Sequence, residues 1–443
     1  MSAGRDAALA LLGGEPYRAY TYGYPHKTAY RPLAPARALG ALFADEPRDA
    51  LFLYLHVPFC ARRCGYCNLF ARAGAGPERH AAFLAAIERQ ARALARAIPG
   101  ARFARLAVGG GTPAALGAAG LARLLDVSER VLGVAAGAVP SSVELSPACA
   151  GDEVLAVLAG RGVSRVSLGV ETFLDGEARA AGRPQTRGEV EGALERVRGR
   201  GFPIVNVDLI YGLPGQTVRT FEASLRAAVR HRPEELYLYP LYVRPGTPLV
   251  ARAPSGAPPL KRAMYRRALE ILAAEGYVQR SMRHFALPAV VAAEPQDYRC
   301  QDDGMVGLGC GARSYTRRVH WSDPYAVDPR RVAALIDAWA RRSEEDFGLA
   351  RHGYELDGED ERRRWAILTL LGGGLDGAAY RARFGSDASA DLPELTALAD
   401  AGLTERAGEI LRLTPLGVEL SDAVGPFLFS GRVRARMGDE RAA

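Results

Sequence analysis

Three cysteines, Cys60, Cys64 and Cys67, fall within eight residues, in the run His56-Val57-Pro58-Phe59-Cys60-Ala61-Arg62-Arg63-Cys64-Gly65-Tyr66-Cys67. The spacing is C-x3-C-x2-C. Thiolates are soft ligands that suit zinc and iron–sulfur clusters. Three of them on one tight loop can hold three irons of a [4Fe–4S] cluster and leave the fourth iron open to a small molecule. A closed structural zinc site would need a fourth cysteine or histidine. His56 is the available residue, but it is expected on the strand that precedes the loop.

The other cysteines, Cys149, Cys300 and Cys310, lie far from this run and are expected to be buried or incidental thiols. Six cysteines in 443 residues do not make the dense pattern of a secreted disulfide scaffold. The composition, 48% hydrophobic and 24% charged, excludes a wholly disordered or fibrous chain. The net charge is +7, yet only Lys27 and Lys261 are lysines, so 55 of the 57 basic residues are arginine, spread among 50 acidic ones. Such dispersed charge reads as solvated surface, and no nucleic-acid partner is expected. No apolar run approaches the ~20 residues of a membrane span, and the start carries no clear signal peptide. A soluble, cytoplasmic, monomeric protein is the expectation.

The elements that must position the cysteines alternate between strand and helix. Strands are expected at 51–57, 105–111, 143–147, 165–171, 204–214 and 235–243. Helices are expected at Pro77–Ile98, 117–133, 151–161, 187–200, 217–231 and 259–275. This alternation predicts an α/β fold, a partial (β/α)6 barrel of parallel strands over residues 49–290, with chemistry at the strand C-terminal ends. Residues 291–358 form a flanking segment carrying the GLGCGA strand and turn, with a helix over 331–347. Residues 359–430 predict a small winged-helix-like domain: a helix around Trp365, the breaker Gly372-Gly373-Gly374, two short helices and a hairpin over 409–420. Residues 431–443 read as a disordered tail. Residues 1–48 read as an extended arm, in which Tyr17, Tyr20, Tyr22, Tyr24 and Tyr30 alternate with prolines that exclude a continuous helix. The arm either packs on the barrel or serves as a lid.

The cysteine loop, with an aromatic before its last cysteine, resembles the radical S-adenosylmethionine (SAM) superfamily. The longer run Tyr54-x-His56-x-Pro58-Phe59-Cys60 resembles its oxygen-independent coproporphyrinogen III oxidase family. The likeness continues in order through Gly109-Gly110-Gly111-Thr112-Pro113, Glu144-Leu145-Ser146-Pro147, Arg165–Glu171, Asp208–Pro214 and Gly307-Leu308-Gly309. It implies that Cys60, Cys64 and Cys67 hold a [4Fe–4S] cluster and that SAM chelates the open iron. Gly109, Gly110, Gly111 and Thr112 would lie along the methionine moiety, and Glu144 would bind SAM by charge-assisted hydrogen bonds. Tyr54 and Tyr66 would flank cluster and adenine, with core packing the alternative for Tyr54. Glu171, Arg183 and Asp208 fall at SAM-contacting positions, and Tyr242 and Arg313 at positions of a second SAM. Glu171 stands where the oxidases carry glutamine; Tyr242 and Arg313 are bulkier than the alanine and isoleucine expected.

The activity so implied is cleavage of SAM to methionine and a 5′-deoxyadenosyl radical, with electrons from a flavodoxin or ferredoxin. The substrate would be a small molecule, a porphyrinogen in the oxidase, whose propionates are decarboxylated to vinyl groups. Arg280, Arg283 and Arg313 are the arginines expected around the mouth for a tetracarboxylate. Two other readings remain: a two-SAM radical C-methyltransferase, and a non-enzymatic haem chaperone. The chaperone branch carries His-Asn-x-x-Tyr-Trp before its Gly-x-Gly strand, where this chain has Tyr298-Arg299-Cys300-Gln301-Asp302-Asp303-Gly304.

Overall fold

The computed structural model describes residues 2–17, 20–251, 257–293 and 299–439. Tyr298 and the last four residues of the tail lie outside them. The chain divides into a larger unit, Pro32–Tyr277 with Ala286–Gly353, and a smaller one, Met1–Arg31 with Val278–Phe285 and Tyr354–Ala443.

The larger unit is mixed α/β around a parallel sheet. Its strands are β1 (Arg31–Ala38), β2 (Leu51–Val57), β3 (Phe103–Gly110), β4 (Ser141–Leu145), β5 (Arg165–Glu171), β6 (Ile204–Tyr211), β7 (Glu235–Pro240), β8 (Met305–Leu308), β9 (Arg313–Tyr315), β10 (Val319–Ser322) and β11 (Leu349–Glu355). Their spatial order is β1-β11-β10-β9-β8-β2-β3-β4-β5-β6-β7. The six strands expected from the alternation, β2 to β7, are neighbours in sequence order and all pairs are parallel. The helices between them are α1 (Pro77–Ala97), α2 (Gly117–Leu132), α3 (Asp152–Gly160), α4 (Asp175–Ala180), α5 (Arg187–Gly199) and α6 (Val218–Arg230), with α7 (Pro258–Ala274) after β7.

Local chemistry explains these elements. Leu51, Leu53, Leu55 and Val57 are fully buried along β2, as a strand covered by helices requires. Helix α1 opens with proline at its first turn, and α5 opens with a reciprocal capping box between Thr186 and Glu189. Prolines 32 and 35 lack a ladder donor and stand in β1, at the edge of the sheet.

The flanking segment extends the sheet. Strand β8 pairs parallel to β2, from Met305↔Phe52 to Leu308↔Leu55, and β9 and β10 fold back antiparallel. Gly309 turns this segment with φ 99°; a Cβ there would stand 2.2 Å from the His56 carbonyl oxygen.

Four local expectations are corrected. Residues 1–48 are not one extended arm: Ser2–Leu11 is helical, and Tyr24 and Tyr30 are buried in the core of the smaller unit with Trp365, Tyr380, Leu398 and Leu420. The tail is not disordered over 431–439, since Gly431–Asp439 is a helix and Val433 is fully buried. The hairpin is formed by Thr404–Ala407 and Ile410–Leu413, because Pro415 starts a short helix instead of extending the strand. The helix expected over 331–347 is Pro329–Ala340; the chain then turns into a separate short 3-10 segment, Asp346–Gly348.

Within the smaller unit, Asp360 is nearly fully buried and anchors the N-terminal segment. Its carboxylate accepts from the hydroxyls of Tyr24 at 2.6 Å and Tyr354 at 2.8 Å, and from Arg432 at 3.0 Å. A second buried pair joins Arg283 to Asp422, with the Tyr20 ring 4.0 Å from the Arg283 guanidinium carbon. Arg283, expected at a substrate mouth, is therefore an internal structural cation.

Candidate functional site

Strand β2 delivers the chain into the cysteine loop. Phe59–Cys60 pairs with Arg72–Ala73 in a two-stranded parallel ladder that closes the loop behind the cysteines. The loop lies on the glycine turn at the end of β3: Gly111 N–H donates to the Val57 carbonyl at 2.8 Å and Thr112 N–H to Phe59 at 2.7 Å. A Cβ at Gly111 would stand 2.4 Å from the Phe59 carbonyl oxygen and 2.9 Å from Cys60 Sγ. The glycine turn thus serves the cysteine loop as a seat. Gly65, within the loop, packs on the chain after α4, where a Cβ would lie 2.7 Å from the Ala181 oxygen.

His56 is buried and already engaged. One ring nitrogen faces the Tyr54 hydroxyl at 3.3 Å and the other faces the Phe70 carbonyl at 3.1 Å, near the far end of the loop. It braces the loop, which removes it from the role of a fourth metal ligand.

A cavity of about 470 Å³ opens beside the loop. Cys60, Cys64, Cys67, Tyr66, Gly110, Gly111, Thr112, Glu144, Glu171, Arg183 and Asp208 line it. These residues come from the cysteine loop, the segment after α4 and the C-terminal ends of β3, β4, β5 and β6. Parallel strands in sequence order present their C-terminal ends on one rim, so residues up to 148 positions apart meet there. Of the other expected residues, Gly109 lies directly under Glu144. Tyr54, Tyr242 and Arg313 do not line the cavity. Tyr54 points to His56; Tyr242 follows β7, with the Arg244 guanidinium 5.2 Å from its ring; Arg313 stands on β9 opposite Ser322.

The acids at the strand ends have distinct settings. Glu144 is exposed to the cavity, and its Oε2 accepts from Gly110 N–H at 3.1 Å. Desolvation by the surrounding protein raises its pKa and that hydrogen bond opposes the rise. Burial and then the charge of Glu171 hold Asp208 well above its usual range, against a 2.8 Å hydrogen bond from Asn206. Glu171 ends β5 at φ 67°, in the left-handed region, where the register with β6 slips between Gly169 and Glu171. A non-glycine residue held there costs about 1–3 kcal/mol, a strain found most often at functional sites. Burial raises its pKa, and the neighbouring Arg183 charge and Tyr66 hydroxyl lower it.

Arg183 donates from Nη1 to Cys64 Sγ at 3.3 Å and from Nε to Gln185 at 3.2 Å, and its other terminal nitrogen binds the Gly169 carbonyl. Its Nη1 stands 3.9 Å from Glu171 Oε1. Burial disfavours its charge, but Tyr66, Glu171 and Cys64 together hold it protonated. Burial pushes the Cys60 thiol up to about 11 and also raises Cys67; a metal would take these sulfurs as thiolates with release of protons.

Among the described residues no three His, Cys, Asp or Glu side chains converge on a single ion. That disfavours zinc, which needs its ligands around one point. A cluster instead takes each thiolate at a separate corner. Three cysteines that line one cavity, with no fourth cysteine in the loop, fit that second demand.

Ser146, Ser167, Gly169 and Gln185 also line the cavity and were not anticipated as site residues; Cys149, expected to be a buried or incidental thiol, is half-buried and lines it too. Ser167 and Gly169 were discoverable, since alternate residues leading to Glu171 share a strand face. Gln185 had no sequence signal: it lies in the loop after α4 and binds the Val170 carbonyl at 2.6 Å.

Residues 54–228 match the sequence profile of the radical SAM superfamily, and residues 356–420 that of the HemN C-terminal domain. The chain is similar to the haem chaperone HemW of Mycobacterium tuberculosis, 31% identical over 396 residues, 86% of this chain and 95% of that protein. It is also similar to the oxygen-independent coproporphyrinogen III oxidase of Escherichia coli, 28% identical over 389 residues, 83% of this chain and 81% of that one. Among solved structures, coproporphyrinogen III oxidase (HemN) from Escherichia coli superimposes with a TM-score of 0.79 at 24% identity, covering 95% of this chain and 98% of that chain. At that identity the likeness speaks for the fold.

Proposed function

The chain belongs to the radical SAM superfamily, in the family that joins oxygen-independent coproporphyrinogen III oxidase to HemW, and from this premise we propose that it is a radical enzyme acting on a porphyrinogen-like small molecule. Its cofactors are a [4Fe–4S] cluster and SAM. The observation that carries the proposal is the single cavity shared by the three cysteines and by Glu144, Glu171 and Asp208.

Cys60, Cys64 and Cys67 would hold the cluster. When bound, it supplies the single electron that cleaves SAM into methionine and a 5′-deoxyadenosyl radical. The protein residues would bind and orient. Gly110 N–H fixes Oε2 of Glu144, and the free Oε1 can accept from the SAM ammonium group. The Arg183 guanidinium can meet the SAM carboxylate. Asp208 and Glu171, acids on adjacent strand ends, can accept from ribose hydroxyls. The Thr112 hydroxyl, 3.7 Å from Cys60 Sγ, steadies that sulfur.

The specific reaction proposed is oxidative decarboxylation of propionate side chains. A hydrogen atom passes from the β-carbon to the 5′-deoxyadenosyl radical, giving 5′-deoxyadenosine; CO2 then leaves, the remaining electron passes to an external one-electron acceptor, and a vinyl group remains. The oxidase-named relative and the HemN-like fold support it. A flavodoxin or ferredoxin as electron source and a cytoplasmic setting belong to the same reading. A second reading, haem chaperoning, is favoured by the relatives at 30% and 31% identity, which are HemW proteins.

Anaerobic incubation of reconstituted protein with reductant, SAM and coproporphyrinogen III, read by mass spectrometry, tests these readings. Stepwise loss of CO2 with 5′-deoxyadenosine supports the oxidase. Binding of haem without SAM turnover supports the chaperone and overturns the enzyme reading. S-adenosylhomocysteine with a methylated product would make the chain a methyltransferase.

A further inference from the structure

We infer that Arg183 and Glu171 form a matched pair that sets the reduction potential of the cluster through the sulfur of Cys64. The inference rests on the reading that Cys60, Cys64 and Cys67 carry the cluster.

The guanidinium fork is fixed on three sides. Nη1 donates to Cys64 Sγ at 3.3 Å, Nε donates to Gln185 Oε1 at 3.2 Å, and the second terminal nitrogen binds the Gly169 carbonyl. Gln185 is itself held by the Val170 carbonyl at 2.6 Å. An arginine so forked cannot swing away from the sulfur without breaking several hydrogen bonds, and it cannot shed its charge.

Glu171 reaches this group because of its backbone. The slipped register after Gly169 and the left-handed φ of 67° bring its carboxylate within 3.9 Å of the same Nη1. A glutamine of the same shape could occupy this position without its charge. The carboxylate therefore has a consequence that shape does not provide.

Hydrogen bonds to a ligating sulfur and nearby charge are two determinants of cluster potential. Reduction adds one negative charge to the cluster. The Arg183 donor and its positive charge favour the reduced form and raise the potential. The Glu171 charge opposes this and lowers it. Low potential is what reductive cleavage of SAM demands, so the pair orders Cys64 without making the cluster too easy to reduce. A SAM carboxylate on the same guanidinium would act in the sense of Glu171, so the test is run without SAM.

The full-length protein is reconstituted anaerobically, and the cluster midpoint potential is read by EPR-monitored redox titration. Arg183→Gln should make reduction about tenfold less favourable, a fall of about 59 mV for a one-electron couple. Glu171→Gln should shift it by a similar factor in the opposite direction. Arg183→Lys, which keeps charge without the fork, should fall between wild type and Arg183→Gln. Iron and sulfide contents and melting temperatures are read on the same samples; if Arg183→Gln loads no cluster, the isosteric Glu171→Gln decides. Reduction equilibria within twofold of wild type, with clusters loaded, overturn this inference alone. A wild-type protein that takes up no [4Fe–4S] cluster overturns the functional reading, and this inference falls with it.

Discussion

The carboxylate of Glu144 lies directly over Gly109: a Cβ at Gly109 would stand 2.6 Å from Oε2, the oxygen that accepts the Gly110 hydrogen bond. The glycine turn therefore bears on the two sides of the site differently. On one side it meets the end of a flexible acid; on the other it meets the backbone of the cysteine loop.

That difference separates two alanine substitutions. Gly109→Ala can be accommodated by a small shift of Glu144, so the melting temperature should change little. The displaced acid should weaken SAM binding about tenfold, or ~1.4 kcal/mol, in an anaerobic titration of the reconstituted protein. Gly111→Ala meets the Phe59 carbonyl at 2.4 Å. It should destabilise the protein by about 1–3 kcal/mol in denaturant unfolding and lower iron loading. Equal effects of the two substitutions would contradict this geometry.

Cys64→Ala removes one corner of the cluster site at a partly exposed position. Iron and labile sulfide should fall to near background, while the unfolding free energy of the metal-free protein should stay within about 1 kcal/mol of wild type. A variant that loads iron normally would remove Cys64 from the cluster.

Asp208 makes a pH prediction. Its pKa is raised by burial and by Glu171, above the usual 3.8. A raised acid binds its proton more tightly when folded, so its stabilising contribution is present below 3.8 and is lost as pH rises through the folded value. Asp208→Asn should therefore melt higher than wild type in the absence of SAM, and its advantage should grow as pH rises above the usual carboxylate value. An advantage that shrinks with rising pH would reverse the sign. The same variant should bind SAM less well.

The smaller unit offers a stability test of the tyrosine-rich segment. Tyr24 donates to Asp360 at 2.6 Å inside a core the sequence had assigned to an arm. Tyr24→Phe should cost about 1.5–3 kcal/mol, the range for a hydrogen bond to a charged group, in denaturant unfolding. A loss near zero would return the segment to a loose surface role.

Much of this protein could be read from local sequence. The C-x3-C-x2-C loop needs only three thiols close in the chain, and β2 to β7 announce themselves as apolar runs bounded by helices. The order of those strands followed as well, since short right-handed crossovers make sequence neighbours spatial neighbours. So the gathering of Cys60, Glu144 and Asp208 on one rim was legible before any coordinates.

What depended on long-range packing was not. The division of residues 1–48, the ordered helix Gly431–Asp439 and the Arg283–Asp422 pair arise from contacts between segments more than a hundred residues apart, which no local pattern encodes. Tyr242 and Arg313, at the positions that the resemblance gives to a second SAM, do not line this cavity. The left-handed Glu171 and the Arg183 bond to Cys64 are finer still. They depend on one slipped residue in a strand register and on where the loop after α4 returns. The sequence alone determined which chemistry the site could hold; the tertiary structure decided which charges stand against it, because a few ångströms of backbone placement determine whether a carboxylate meets a guanidinium or solvent.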